Sequence, residues 1–229
     1  MAYCGQEEYN MAEKLVQNNQ AVVEGEIVSE FVFSHEVFGE GFYYVKLKVS
    51  RLSESSDIIP LLISERIIDV DQSYVGQFME VRGQFRSFNK HVGSRNHLIL
   101  SLFVREYVLL DELDNQEPNM IFLDGYICKE PVYRVTPFGR EITDILLAVN
   151  RAYSKSDYIP CISWGRNARY ARKLPVGSRV RLWGRIQSRE YQKKLNDLDV
   201  IKLIAYEVSV SKMEYCQDPV DYPAQYVAE

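Results

Sequence analysis

The sequence predicts an all-β protein built from two related domains, and three observations lead to this prediction. The chain has 229 residues, which suffices for two small domains at about 100–200 residues per domain. Its two halves match each other at an offset of 100 residues. Within each half, apolar and polar residues alternate as they do in strands that have one face in a core.

The repeat is carried by glycine, proline, serine and charged residues. The clearest matches are Gly25 with Gly125, Gly39 with Gly139, Ser56–Pro60 with Ser156–Pro160 and, after a one-residue insertion, Val75–Gly76 with Val176–Gly177, Ser87 with Ser188 and Glu106 with Glu207. We therefore divide the chain into an N-terminal arm with a short helix (residues 1–19), a first domain (20–110), an acidic linker (111–118), a second domain (119–213) and an acidic tail (214–229).

The alternation is clearest from Arg179 to Arg189, where Val180, Leu182 and Ile186 share one face and arginines the other. Further strands are predicted over 120–129, 141–151, 158–163 and 200–210, with a short helix over 167–174. Five strands with a helix between the third and fourth form an OB-fold, a partly open Greek-key barrel. We expect this barrel, including its helix, in both repeats.

Composition and charge narrow the class of protein. Apolar residues at 46% and charged residues at 26% are ordinary for a globular chain, and the N-terminal Met1–Glu8 has no signal-peptide pattern, which favours a cytoplasmic location. The net charge of −5 hides an asymmetry, because residues 119–213 hold 17 Lys/Arg and 9 Asp/Glu while the rest holds 10 and 23. Such a basic domain is typical of a binder of phosphate backbones. The alternative is a basic face balanced by the acidic remainder.

Nothing in the sequence indicates an enzyme or a cofactor. The four cysteines form no CxxC pair, and His35, His91 and His97 have no ligand spacing. The segment Phe38–Gly41 fits neither phosphate-loop pattern. We therefore expect no catalytic residue, no metal and no cofactor.

Several motifs of the second repeat occur together in a fixed order: Thr136–Gly139, Leu147–Arg151, Asp157–Arg166, Val176–Val180 and Gly184–Tyr191. Together they resemble the bacterial single-stranded DNA-binding protein family, in which bases stack on aromatic side chains while basic side chains follow the phosphates. The resemblance implies stacking on Tyr153, Tyr158, Trp164 and Tyr191, and phosphate contacts from Arg151, Lys155, Arg166, Arg185, Arg189, Lys193 and Lys194. Arg181 and Trp183, on the strand face of Arg185, are further candidates. A stacking contact contributes about 1–3 kcal/mol and requires no particular base.

The first repeat departs from this pattern. The four aromatic positions correspond to Ser53, Ile58, Ser64 and Lys90, and residues 20–110 hold 9 Lys/Arg against 12 Asp/Glu. We predict a degenerate barrel that supplies an assembly surface. The alternative is an accessory contact from the basic hairpin around Phe88, which contains Arg82, Arg86, Lys90, His91 and Arg95.

The main functional prediction is non-catalytic, largely sequence-independent binding of single-stranded DNA in replication, recombination or repair. One alternative is a primosome-like or other protein-interaction module with little DNA binding, which the acidic first repeat favours. Single-stranded RNA is a second alternative, because stacking alone does not read the 2′-hydroxyl. The resemblance also implies four assembled barrels, hence a homodimer, and replication or repair proteins as partners. Asp218, Asp221 and Glu229 do not reproduce the acidic recruitment tip of the family.

Overall fold

The computed structural model describes residues 17–51, 53, 55–92, 95–113, 117–194 and 200–216. In this part of the chain, twelve strands and one short helix are defined. The strands are β1 (Asn19–Ile27), β2 (Val32–Val37), β3 (Glu40–Ser50), β4 (Ser56–Ser64), β5 (Phe78–Val92), β6 (Arg95–Leu110), β7 (Asn119–Ile127), β8 (Val132–Val135), β9 (Glu141–Arg151), β10 (Lys155–Trp164), β11 (Arg179–Lys194) and β12 (Val200–Tyr215). The helix α1 (Gly165–Ala171) connects β10 to β11.

Each half of the chain forms a closed barrel. In the first, the strand order is β3-β4-β6-β5-β1 and β1 returns to pair with β3; in the second, the order is β9-β10-β12-β11-β7 and β7 returns to β9. The short strands β2 and β8 each add an edge strand, on β3 and β9, beyond the five strands predicted per barrel. The prediction of an all-β fold with tandem OB-folds is confirmed.

Closure depends on β1 and β7 changing partner near a glycine. Glu26 lies opposite Phe78 of β5 and also opposite Lys48 of β3. A Cβ atom on the preceding Gly25 would lie 2.3 Å from the Lys48 carbonyl oxygen, and one on Gly125 would lie 2.5 Å from the Ala148 carbonyl oxygen. The glycine match in the repeat therefore marks the place where each barrel closes.

The helix predicted between strands three and four is present in the second repeat, where Ala168 and Ala171 are buried. The same prediction is wrong for the first repeat, because residues 65–77 form turns. The β-branched Ile67, Ile68 and Val70 disfavour a helix, and the Asp69 carboxylate accepts the Asp71 amide at 3.1 Å in a local turn. The predicted N-terminal helix falls on residues 7–17, all but the last of which lie outside the described part.

The two barrels are joined by an antiparallel pairing between β1 and β7, with Asn19 opposite Leu123 and Val23 opposite Asn119. The pairing makes one continuous twelve-stranded sheet. Two equivalent asparagines extend the strand pairing around the junction. The Asn19 side chain donates to the Phe85 carbonyl at 2.8 Å and accepts its amide at 2.9 Å, and Asn119 makes the same two contacts with Ile186 at 2.7 and 2.9 Å.

Two reciprocal contacts, which we call the clasps, hold each barrel to a hairpin of the other. In the first clasp, Asp57 accepts hydrogen bonds from the amide of Ser188 at 2.7 Å and its hydroxyl at 3.1 Å. In the second clasp, Asp157 accepts the Ser87 amide at 2.7 Å, and the Ser87 hydroxyl accepts the Tyr158 amide at 2.8 Å. The hairpins β5–β6 and β11–β12 therefore each lie against the opposite barrel.

The clasps differ in their charge balance. Arg51 donates to Asp57 through Nε at 2.7 Å and Nη2, and Arg185 adds a contact at 3.1 Å. Burial alone would raise the pKa of Asp57, but the hydrogen bonds from Arg51 and Ser188 lower it below its ordinary value. Asp157 has a weaker ion pair, to Arg151 at 3.4 Å, and burial raises its pKa.

The two aspartates are a matched pair for a stability test. Asp57→Asn is expected to lower the free energy of unfolding at pH 7 by about 3 kcal/mol, because it breaks a buried, bidentate pair. Because the folded-state pKa of Asp57 lies below the ordinary 3.8, this contribution is complete above about pH 5 and fades as the pH falls through and below 3.8. Urea unfolding between pH 3 and 7 measures both effects.

Asp157→Asn serves as the comparison. We expect Asp157→Asn to lower the free energy of unfolding at pH 7 by less than Asp57→Asn does, since ionised Asp157 is poorly paired in its buried position. Because its pKa is raised, the wild type should gain stability relative to this variant as the pH falls. Equal losses with the same pH dependence for the two variants would contradict the difference between the clasps.

Candidate nucleic-acid interface

Tyr158 and Trp164 lie on the outer face of β10. Asp157, Ile159 and Cys161 alternate with them and are buried, so the strand period places the even-numbered side chains outside the barrel. Tyr158 is 43% exposed and Trp164 37% exposed. The Trp164 indole N–H donates to the Ser209 hydroxyl on β12 at 3.3 Å, which orients the ring while leaving part of its surface open.

Tyr153 lies in the turn between β9 and β10 and is 94% exposed. Its φ is +60° and that of Ser154 is +55°, so both residues adopt the left-handed conformation. A bulky residue rarely adopts this conformation, which costs energy in the folded state. The turn therefore presents a tyrosine ring to solvent at some cost in stability.

Tyr191 lies farther along the second barrel, on β11 opposite Leu203 of β12, and is 39% exposed. Lys193 and Lys194 follow on the same strand, where their backbones pair with Ile201 and Val200. The four predicted stacking residues are thus all solvent-accessible. Tyr158 and Trp164 share one strand face, while Tyr153 and Tyr191 come from two different hairpins.

The predicted basic residues fall into two groups. Lys155 and Arg166 are exposed on either side of the β10 aromatics. Four arginines instead contact carboxylates of the protein: Arg151 with Asp157 at 3.4 Å, Arg185 with Asp57 at 3.1 Å, Arg181 with Asp124 at 3.2 Å and Arg189 with Glu207 at 3.7 Å. These carboxylates offset part of the positive charge that the sequence predicts for this face.

Arg181, Trp183 and Arg185 project from one face of β11, as predicted, opposite the buried Leu182 and Ile186. Trp183 does not lie on the β9–β10 face. Its ring packs on Phe122 with centroids 5.1 Å apart and carries the Lys212 ammonium 4.4 Å above it. It lines a groove of about 890 Å³ where β1 meets β7.

The clasp residues are not among the functional residues predicted from the sequence: Asp57, Asp157, Ser87 and Ser188. A signal for them exists, because the Ser-Asp step at 56–57 recurs at 156–157 and Ser87 recurs as Ser188. Repeated polar residues on otherwise apolar strands indicate buried hydrogen bonds between the repeats.

No helix in the described part of the chain is long and apolar enough to cross a membrane. Among the same residues, no three His, Cys, Asp or Glu side chains come together as metal ligands would.

The fold and this face define the class: an OB-fold protein with two barrels in one chain. Residues 118–215 match the family model described as "Single-strand binding protein family". The resemblance predicted for the second repeat is therefore confirmed.

Relatives with curated names agree with this match. The chain is 31% identical over 106 residues to "Single-stranded DNA-binding protein 2" of Listeria innocua, which covers 43% of this chain and 64% of that protein. It is 35% identical over 83 residues to "Single-stranded DNA-binding protein A" of Bacillus subtilis, covering 33% and 48%. The chain thus spans between about half and two thirds of the length of these two relatives.

The likeness to a solved structure extends over both barrels. The wild-type single-stranded DNA binding protein from Thermus aquaticus aligns with a TM-score of 0.67 at 17% identity, over 90% of this chain and 95% of that one. At this identity the comparison concerns the fold. Because the alignment covers nearly all of both chains, it supports the arrangement of two barrels in one chain.

The strained turn gives a test that is independent of ligand. Tyr153→Asn is expected to raise the free energy of unfolding by about 1 kcal/mol, because asparagine tolerates the left-handed conformation. Tyr191→Asn, which removes a similarly accessible tyrosine from a strand, should instead be mildly destabilising. Urea unfolding at pH 7 measures both variants, and a destabilised Tyr153→Asn would contradict the assigned strain.

Proposed function

We propose that this protein binds single-stranded DNA without catalysis and with little sequence preference, in replication, recombination or repair. The observation that carries the proposal is the pair of accessible rings on β10, Tyr158 and Trp164, flanked by the exposed Lys155 and Arg166. Bases stack on the rings and phosphates contact the basic side chains. We call Tyr153, Tyr158, Trp164 and Tyr191 the second-barrel platform.

The arrangement favours a single strand over a duplex. Rings that lie partly open on a barrel face can stack only against unpaired bases, since paired bases are already stacked on their neighbours. The curated relatives carry the name single-stranded DNA-binding protein, which supports DNA as the ligand. Titration of the protein with a single-stranded RNA of the same length as the DNA tests whether RNA is bound as well.

The four arginines that pair with carboxylates should contribute less to DNA binding than the unpaired basic residues. Arg151, Arg181, Arg185 and Arg189 each face a carboxylate, so a phosphate would have to share or displace that partner. Lys155 and Arg166 should therefore contribute more to the salt dependence of binding than these four. Lys193 and Lys194 lie beside Tyr191 on β11 and would extend the phosphate path along that hairpin.

The two tryptophans, Trp164 and Trp183, allow the ligand to be located by fluorescence. Quenching by oligo-dT should persist in Trp183→Phe, which retains Trp164 as reporter, and should largely disappear in Trp164→Phe. Trp183 lines the groove where β1 meets β7, and Ser209, the hydrogen-bond partner of Trp164, lines the same groove. Quenching retained in Trp164→Phe and lost in Trp183→Phe would place the DNA in that groove and contradict the proposal.

Affinities test the energetic contribution of the rings. Tyr158→Ala or Trp164→Ala should weaken binding of oligo-dT by about 1–3 kcal/mol, or roughly fivefold to 150-fold, as measured by fluorescence anisotropy of a labelled oligonucleotide. Tyr215→Ala is the matched control, because Tyr215 is 44% exposed at the far end of β12. Equal losses in all three variants, or tighter binding of a duplex than of a single strand, would contradict the platform.

The expected homodimer and the replication or repair partners stay predictions. The molar mass in solution by sedimentation equilibrium tests the former.

A further inference from the structure

The twelve-stranded sheet ends at β2 in the first barrel and at β8 in the second. In the described part of the chain, β2 pairs only with β3 and β8 only with β9. A strand with one open side can receive another chain. We call residues 28–44 and 65–77, around β2, the acidic end, and the equivalent residues 128–144 and 165–178, around β8 and α1, the basic end.

Both edge strands expose apolar side chains. On the acidic end, Val32 is 63% exposed and Phe33 58% exposed. On the basic end, Val132 is 53% exposed and Val135 57% exposed. A single exposed apolar side chain is ordinary, whereas several together on an edge strand indicate a surface that another molecule covers.

A phenylalanine stands at the tip of each edge hairpin. Phe38, between β2 and β3, is 101% exposed, and Phe138, between β8 and β9, is 91% exposed. The two residues correspond in the repeat, as do Gly39 and Gly139 that follow them. The φ of Phe38 is +51°, a left-handed conformation that costs a bulky residue stability. Equivalent rings held in solvent on both barrels indicate a contact with another molecule.

The two ends carry opposite charge although they are equivalent in the repeat. The acidic end holds six Asp/Glu and one Lys/Arg, a net charge of −5. The basic end holds three Asp/Glu and seven Lys/Arg, a net charge of +4. Beside the tip rings, Glu40 of the first hairpin corresponds to Arg140 of the second. The surfaces are therefore alike in their apolar residues and complementary in their charges.

Contacts within the acidic end leave most of its charge in place. Arg66 pairs with Glu40 at 3.3 Å. Glu36, Asp69 and Asp71 are exposed and form no ion pair with a described residue. This surface therefore attracts a cationic partner and repels a polyanion.

The basic end is likewise only partly neutralised. Arg134 pairs with Asp144 at 2.7 Å, and Arg169 pairs with Glu141 at 3.6 Å. Three further cations are exposed and form no ion pair with a described residue: Arg140, Arg172 and Lys173.

We propose that copies of this chain associate end to end, with the acidic end of one copy docked on the basic end of the next. Phe38 and Phe138 pack at the contact, and the carboxylates of one copy face the arginines of the other. A second copy is the occupant that accounts for both ends, because a polyanion would match the basic end alone. The contact joins two different surfaces, so each added copy presents a new open end. This association goes beyond the proposed function and needs no DNA.

Sedimentation velocity of the DNA-free protein over a series of concentrations measures the association. At an ionic strength of about 0.05 M, the weight-average mass should rise with concentration and not level off at a dimer. At about 0.5 M, the association should be roughly tenfold weaker or more, because salt screens the charges of the two ends. A homodimer that forms through another surface would instead reach a constant mass.

One variant at each end tests the assigned surfaces. Phe38→Ser and Phe138→Ser should each weaken the end-to-end association about tenfold or more. Arg140→Glu, an exposed change in the second hairpin, tests the charge separately and should weaken it as well. Phe88→Ser is the matched control, because it removes a 64% exposed ring from the β5–β6 hairpin, and it should leave the association unchanged. Thermal unfolding verifies that each variant is folded.

A mixture of variants tests whether unlike ends meet. Phe38→Ser keeps the basic end and Phe138→Ser keeps the acidic end, so the two variants together can form one intact contact. Resonance energy transfer between dyes on the N-termini of the two variants should therefore exceed the transfer between differently labelled samples of either variant alone.

Three results would overturn the inference: a mass of the wild type that does not rise with concentration at low salt, growth that is unchanged in both phenylalanine variants, or equal energy transfer in the mixture and in each variant alone. The last result would mean that like ends meet. Anisotropy with labelled oligo-dT measures the proposed function separately, so none of these results contradicts it.

Discussion

The pairing of β1 with β7 places two barrels edge to edge in one sheet, and the other features of the molecule depend on this geometry. β1 pairs with β5 along one edge, and only its last residues turn back to β3. The edge from Asn19 to Val23 would otherwise expose unpaired backbone groups, which is unfavourable and prone to aggregation; β7 pairs with that edge. The arrangement also brings the long hairpins β5–β6 and β11–β12 across the opposite barrels, where the clasps form.

The clasps explain why a basic domain shows fewer free cations than its composition predicts. Buried Asp57 and Asp157 need cationic partners because an isolated buried carboxylate is costly. Arg51, Arg151 and Arg185 supply them. The two sides of the junction are unequal, however. Asp57 is well paired with Arg51 and Arg185, whereas Asp157 has a longer ion pair, to Arg151 at 3.4 Å.

Much of the fold could be predicted from the sequence, because a duplicated glycine, proline and serine pattern carries information about strand ends and closure. The aromatic positions Tyr158 and Trp164 could also be placed on one strand face by the alternation with Asp157, Ile159 and Cys161. The missing helix after β4 was not foreseen, since the repeat alignment transfers an element that the β-branched Ile67 and Ile68 disfavour. The contacts between residues of the two repeats could not be predicted from the sequence either. The clasps join residues about 70 and 130 positions apart, and the Phe42–Phe103 contact joins strands that single-sequence periodicity does not bring together.

The most direct measurement is photo-crosslinking of the intact chain to oligo-dT that carries a single 5-iododeoxyuridine, followed by mass spectrometric mapping of the modified residue. We expect crosslinks at Tyr158 and Trp164 for oligonucleotides of any bound length. Crosslinks confined to Trp183 and Phe122, in the groove where β1 meets β7, would contradict the assignment of the DNA to the outer face of β10.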